Sequence, residues 1–350
     1  MATTVMGVFG AAAADGGAPP RFIYLAWSPT GVAGVDGAIA LVGEGATYDA
    51  GGSNLKTGAE RMLGLMKVDM GGAAAVLGAA RALAEMRPPV EGHVVLAACE
   101  NFISDTARWP GNIITASSGV TNEVGNTDAE TRLTAADSLA YAPGLPAGTH
   151  VFELSTFMGA VIVALDQSIG GLMAPYDDLA TSLVSAAAAA GERLWCLPLD
   201  GTYVSSLDST LAGVNSIGAK GGVGAGTITA GLFFAKFVRA GALWAHIDIA
   251  GAARNHGGGG GGTGYGVATL VRSVHAFGRV GRGRGDSALT RRSAGTVGRR
   301  SEAVVEFFGR HFEWCFWQSL TLNRVSCVFL CDMRHCHENV PRIKILRTLM

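Results

Sequence analysis

Four short apolar runs rich in β-branched residues recur along the chain: AIALVG (38–43), HVVLAAC (93–99), VFELST (151–156) and LWAHIDIAG (243–251). Runs of this length without polar alternation fit strands buried on both faces, and such strands need a helical layer above and below. The intervening sequence supplies it. Gly71 to Met86 is Ala-rich and opens on two glycines, and Leu133 to Tyr141 and Leu179 to Ala190 read as helices too. The alternation predicts an α/β fold, a mixed β-sheet sandwiched between helices, with functional residues gathered beyond the carboxyl ends of strands.

That pattern stops near 274. Residues 1–270 carry 13 Lys and Arg against 22 Asp and Glu, a net −9, whereas 271–350 carry 14 against 6, a net +8. We therefore read 1–274 as one domain and 275–350 as an unrelated, poorly ordered tail. The tail begins with an Arg/Gly run (278–285) whose last two residues open the tripeptide Arg284-Gly285-Asp286. It ends in a stretch holding Phe307, Phe308, Phe312, Trp314, Phe316 and Trp317, followed by Cys327, Cys331, His335, Cys336 and His337. These spacings match no standard zinc finger. Nucleic acid is not expected as a partner.

Long apolar runs are interrupted by charge, as Gly71 to Met86 is by Arg81, before the roughly 18 residues that a membrane span requires. No membrane partner is expected. Only Cys99 and Cys196 fall within the first 300 residues, which is no disulfide framework and points to a reducing compartment, the cytoplasm. No Lys or Arg precedes the apolar first fourteen residues, the wrong flank for a secretory signal.

Chemistry concentrates after the strands, in VGEGATYDAGGSNLK (42–56), MKVDMGGAAAVLG (66–78) and NTDAETRL (126–133). Asp49 precedes a Gly51-Gly52 turn, and Asp69 stands before a helix start, where a carboxylate is favoured. Asp128 and Glu130 are two apart and would share a side of an extended segment. If the four carboxylates converge, each like-charged pair at about 4 Å costs on the order of 4 kcal/mol at an effective dielectric of about 20. Cations must then sit among them. Oxygen-only ligands suit Mn²⁺, Mg²⁺ or Zn²⁺, and this many carboxylates suits two ions.

These segments, in this order, resemble the leucine aminopeptidase (cytosol aminopeptidase) family, whose NTDAEGRL signature differs from NTDAETRL by one residue. The likeness spans about 265 residues, from MGVFGAAAADGGAPPRFIYL (6–25) through ACENFISDTARWPGNIITASSG (98–119), GTITAGLFFAKFV (226–238) and WAHIDIAG (244–251) to TGYGVATLV (263–271). The gap between Lys56 and Asp69 looks most like the plant and cyanobacterial branch. The resemblance implies the di-metal catalytic domain, without the family's amino-terminal domain. It implies that Asp49, Asp128 and Glu130 bind one metal and that Asp49, Asp69 and Glu130 bind the other. Water held between the ions would be the nucleophile. Lys56 would polarise the scissile carbonyl, and Arg132 would hold a bicarbonate acting as general base. Substrates would be peptides with a free amino terminus, and the assembly a homo-oligomer, hexameric in the family.

Two positions depart from the family. Glu44 stands where the family has a metal-binding lysine, which over-charges the cluster unless Lys56 compensates or Glu44 turns away. Thr131 replaces the signature glycine, costly if the backbone there needs a positive φ. Two functions follow: a metal-dependent aminopeptidase releasing leucine-type residues, or a catalytically impaired homologue serving as a structural or binding subunit. The Gly43-x-Gly45 pair lacks the third glycine of a dinucleotide loop, Tyr48 standing in its place. Gly257 to Gly262 read as a flexible loop, His246 and Asp248 as core or contact residues, and Cys99 as a small buried hydrophobe.

Overall fold

The computed structural model describes residues 20–29, 38–57, 61–141, 148–218, 224–239, 241–256, 261–280 and 344–345. The readings of the amino-terminal apolar stretch, of Gly257 to Gly260 and of the tail motifs from Gly281 onward, the Lys344–Ile345 pair apart, lie outside them. In chain order the elements are β1 (Arg21–Trp27), β2 (Ala38–Asp49), α1 (Arg61–Leu65), α2 (Gly71–Met86), β3 (Glu91–Asn101), β4 (Ile113–Thr115), β5 (Thr121–Glu123) and α3 (Glu130–Tyr141). Then follow β6 (His150–Ser155), α4 (Gly159–Leu165), β7 (Gly170–Met173), α5 (Asp177–Ala189), β8 (Leu194–Cys196), β9 (Val214–Asn215), α6 (Gly226–Ala235), β10 (Leu243–Asp248), α7 (Val267–Val280) and β11 (Lys344–Ile345).

One eight-stranded sheet runs β11-β1-β3-β2-β6-β10-β7-β8. Its centre, β3, β2, β6 and β10, is parallel, while β1 and β7 join antiparallel. The four apolar runs are these four central strands, as their lack of alternation requires: ten consecutive residues of β2 are buried. A separate three-stranded sheet runs β4-β5-β9. One face of the large sheet, with Ile39, Leu41, Leu96, Phe152, Leu154 and Ile247, packs against α2, α5 and α7. The opposite face, with Ala40, Val42, Val95, Ala97 and Trp244, packs against α3 and α6. The mixed sheet between helical layers is the expected architecture.

Small residues set how closely α2 can lie. A Cβ added to Gly43 would stand 2.7 Å from the Ala73 Cα, and one added to Gly72 would stand 2.1 Å from the Leu154 oxygen. The Gly43-x-Gly45 pair thus serves helix-on-strand contact. Leu63–Met86, 24 residues long, holds an 18-residue window whose mean hydropathy of 1.3 would suit a membrane span. Charge interrupts it all the same, at Lys67, Asp69, Arg81 and Glu85. Within the fold the stretch turns at Asp69-Met70, and Ala73, Val76, Ala79 and Leu83 are core residues. The boundary read at 274 falls inside α7, which continues to Val280.

A Gly43→Ala substitution is expected to destabilise the fold by about 1–3 kcal/mol, because the new methyl meets backbone that cannot swing away. Chemical denaturation measures it; a stability unchanged from the parent would show that α2 sits further out.

Candidate metal centre

The carboxyl ends of β2, β3 and β6 lie at one end of the sheet, and the site is built there. Alternation along β2 sends Gly43 toward α2 and Glu44 toward α3. Asp49 would follow Gly43, but the pairing of β2 with β3 shifts between Ala46 and Tyr48. This bulge inserts one extra residue and reverses the alternation, so Asp49 faces the same side as Glu44 and as Asn101, its partner across the strands. Gly51 and Gly52, at φ 91° and 63°, then fold the chain back, and the Lys56 N–H donates to the Ala50 oxygen at 2.9 Å.

Three of the expected ligands converge directly: one oxygen each from Asp49, Asp128 and Glu130 lie within 4.8 Å of one another. Asp69, buried beside α2, accepts from Thr156 Oγ1 at 2.8 Å and is electrostatically coupled to Glu130. Glu44 is fully buried on the same sheet face. Its Oε1 accepts from the Ala46 N–H at 2.6 Å, and its Oε2 has no partner among the described residues. Lys56 Nζ stands 2.6 Å from both Asp49 and Asp128.

The electrostatics follow from burial of like charges. Burial raises the Glu44 carboxyl well above its usual range against its bond to Ala46, and Glu130, Glu153 and Asp49 add to the rise. Burial likewise raises Asp69, helped by Glu44, Glu130 and Asp49. Glu130 is pushed up to about 7 by burial and by Asp49, with Lys56 opposing. For Lys56, burial disfavours the ammonium, but Asp49, Glu130 and Asp128 outweigh it and hold its pKa above the ordinary value. Hard oxygen donors this close, one of them orphaned, fit a divalent cation.

Two expectations are corrected in detail. Asp128 and Glu130 do not share an extended segment: Asp128 lies in a turn, its N–H bonded to Asn126 Oδ1, and Glu130 opens α3. Thr131 causes no strain, since it is helical and has no positive φ; its Oγ1 donates to Glu130 Oε1 at 2.9 Å. Arg132, two residues after Glu130, is buried. Its guanidinium donates to the Ser216 oxygen and to Met158 Sδ, and stacks 5.1 Å from the Phe157 ring and 5.8 Å from that of Phe233. Burial lowers its pKa to about 10.

Sequence reading missed Asn101 and Arg108, whose amide and guanidinium underlie the cluster; neither belongs to an acidic pattern that would draw notice. His246 and Asp248 are wholly buried, His246 Nδ1 pairing with Glu153 on the neighbouring strand. Cys99 is buried among apolar side chains.

Because Glu44, Asp69 and Glu130 have raised pKa values in the folded chain, the metal-free fold binds more protons than the unfolded chain from about pH 4 to about pH 7, and its stability falls as pH rises through that window. The melting temperature of metal-free protein should therefore drop between about pH 5 and about pH 7.5, and excess Mn²⁺ should remove the drop. A melting temperature that rises over that interval would contradict the convergence of these carboxyls.

The sequence profile of the cytosol aminopeptidase family, catalytic domain, matches residues 1–271. The chain is 49% identical over 274 residues to the "Probable cytosol aminopeptidase" of Prochlorococcus marinus (strain MIT 9313), covering 77% of this chain and 54% of that protein. It is 47% identical over 270 residues to Leucine aminopeptidase 1 of Arabidopsis thaliana, covering 77% and 51%. Among solved structures it is similar to "Bottromycin maturation enzyme BotP in complex with Mn", with a TM-score of 0.72 and 34% identity over 79% of this chain and 60% of that one. The chain spans about half the length of the curated relatives it matches. With its fold, its acidic cluster and these likenesses in agreement, the chain belongs to the cytosol aminopeptidase family, as a bearer of its catalytic domain.

Proposed function

We propose that this chain is a metal-dependent aminopeptidase that releases leucine-type residues from the free amino terminus of peptides. The observation that carries the reading is the convergence of Asp49, Asp128 and Glu130 within 4.8 Å, with Asp69 buried and electrostatically coupled to Glu130 and Lys56 set against Asp49 and Asp128. These carboxylates would hold two divalent ions, Asp49 and Glu130 serving both, with Mn²⁺, Zn²⁺ or Mg²⁺ as candidates and Glu44 as a doubtful further ligand. Bound there, such ions polarise a carbonyl and lower the pKa of water toward neutrality.

The side chains do the rest. Lys56 has three donors, of which Asp49 and Asp128 take two, leaving one for an oxyanion developing on the substrate. A cluster this acidic attracts a free α-ammonium and offers nothing to an acylated end. Arg132, whose hydrogen bonds go to the neutral Ser216 oxygen and Met158 Sδ, would hold a small anion such as bicarbonate as proton acceptor. The same reading places the catalytic unit at 1–274, with 275–350 as an appended tail, and the protein in the cytoplasm as a homo-oligomer, hexameric as in the family. The unpaired Cys99 and Cys196 support a reducing setting.

The full chain with Mn²⁺ should hydrolyse Leu-anilide and leave N-acetyl-Leu-anilide intact, and Lys56→Met should lower kcat by about 10²- to 10³-fold. Cleavage of the blocked substrate at a similar rate would overturn the exopeptidase reading. No hydrolysis by the parent, with hydrolysis by Glu44→Lys, would identify the silent homologue instead.

A further inference from the structure

Asn101 ends β3, directly opposite Asp49 in the strand register, and is 1% exposed. Its Nδ2 lies 2.7 Å from Asp49 Oδ1, 3.0 Å from the Thr127 main-chain oxygen and 3.3 Å from Glu130 Oε2, so its two hydrogens are shared among three acceptors. Its Oδ1 accepts from Arg108 Nη2 at 3.4 Å, and the same Nη2 donates to the Thr127 oxygen at 2.9 Å. The two ends of an amide have nearly the same shape, so partners decide its orientation. Ionised carboxylates only accept and guanidinium only donates. Turned over, the amide would set its oxygen against two carboxylates and its NH₂ against Arg108. Arg108 therefore locks the amide with its donors toward the acidic cluster.

We propose that Asn101 is the positioning residue of the metal centre. Its NH₂ holds Asp49, from β2, and Glu130, from α3, at a fixed separation before any ion arrives. This rests on the reading above that these two carboxylates ligate metal. The type of donor matters. A cation in this place would compete with a divalent ion for the same oxygens, as Lys56 already does on the other side of Asp49. A neutral amide adds no charge: Asp49 Oδ1 is held by it and by the Gly51 N–H at 2.8 Å, and Glu130 Oε2 accepts from it while keeping a lone pair for an ion. Thr131 Oγ1 completes the arrangement by donating to the other oxygen of Glu130 at 2.9 Å, so both ends of that carboxylate are fixed. Without the amide, an arriving ion must itself gather two mutually repelling groups, and the loss falls on affinity.

Calorimetric titration of the full chain with Mn²⁺ tests this, with circular dichroism confirming that each variant is folded. Asn101→Leu should weaken Mn²⁺ affinity by about 10- to 100-fold, the usual cost of removing a group that orients a ligand. Asn101→Ala, which introduces no bulk, should do the same. Val76→Ala, a core truncation on the opposite face of the sheet, should lower the melting temperature and leave the affinity at the parent value, separating a positioning role from general loosening. If the parent takes up no Mn²⁺, the metal-centre reading falls and this proposal with it. If the parent binds and a folded Asn101 variant binds within about threefold of it, far short of the loss expected of an orienting group, only this proposal is overturned. Failure of both Asn101 variants to fold would assign the amide to the fold and overturn it as well.

Discussion

The mutual repulsion of carboxyl groups held out of water governs this molecule. Glu44, Asp49, Asp69 and Glu130 are all buried, and charges that close inside a protein must be neutralised, protonated or paired. The chain meets the demand partly with Lys56, partly by letting carboxyls keep protons at higher pH, and partly with neutral donors from Asn101, Gly51, Thr156 and Thr131. Divalent ions would complete the neutralisation.

The central sheet was legible because strands buried on both faces leave an unmistakable apolar run, and α2 because its Ala-rich sequence is bounded by turn residues. β7 and β8 escaped notice: four and three residues long, they are too short for a pattern to emerge. The acidic cluster could be located from carboxylates lying just after strands, but its members were fixed only by likeness to a family signature. Asn101 and Arg108 were illegible for a physical reason. Their contribution depends on where two donors point, which is a matter of geometry that no residue type announces. The same holds for Thr131, a penalty if the backbone needed a positive φ and a hydrogen-bond donor once it proves helical.

The two faces of the sheet divide their tasks. Toward α2, α5 and α7 the strands present aliphatic and aromatic side chains that exclude water and supply stability. Toward α3 and α6 the same strands also carry Glu44, Glu153 and His246, buried groups that weaken a core unless each finds partners. Stability drawn from the first face lets the second tolerate a costly assembly of charge.

The bulge between Ala46 and Tyr48 has a consequence for how such a chain can change over time. Side chains on a strand alternate, so losing or gaining a single residue there would swing Asp49 to the far layer, among alanines with nothing to bind. Point replacements around the cluster can be graded and compensated, whereas a one-codon insertion or deletion in this stretch would rewrite which layer carries the acid. The length of β2 thus encodes the site as firmly as the letters within it.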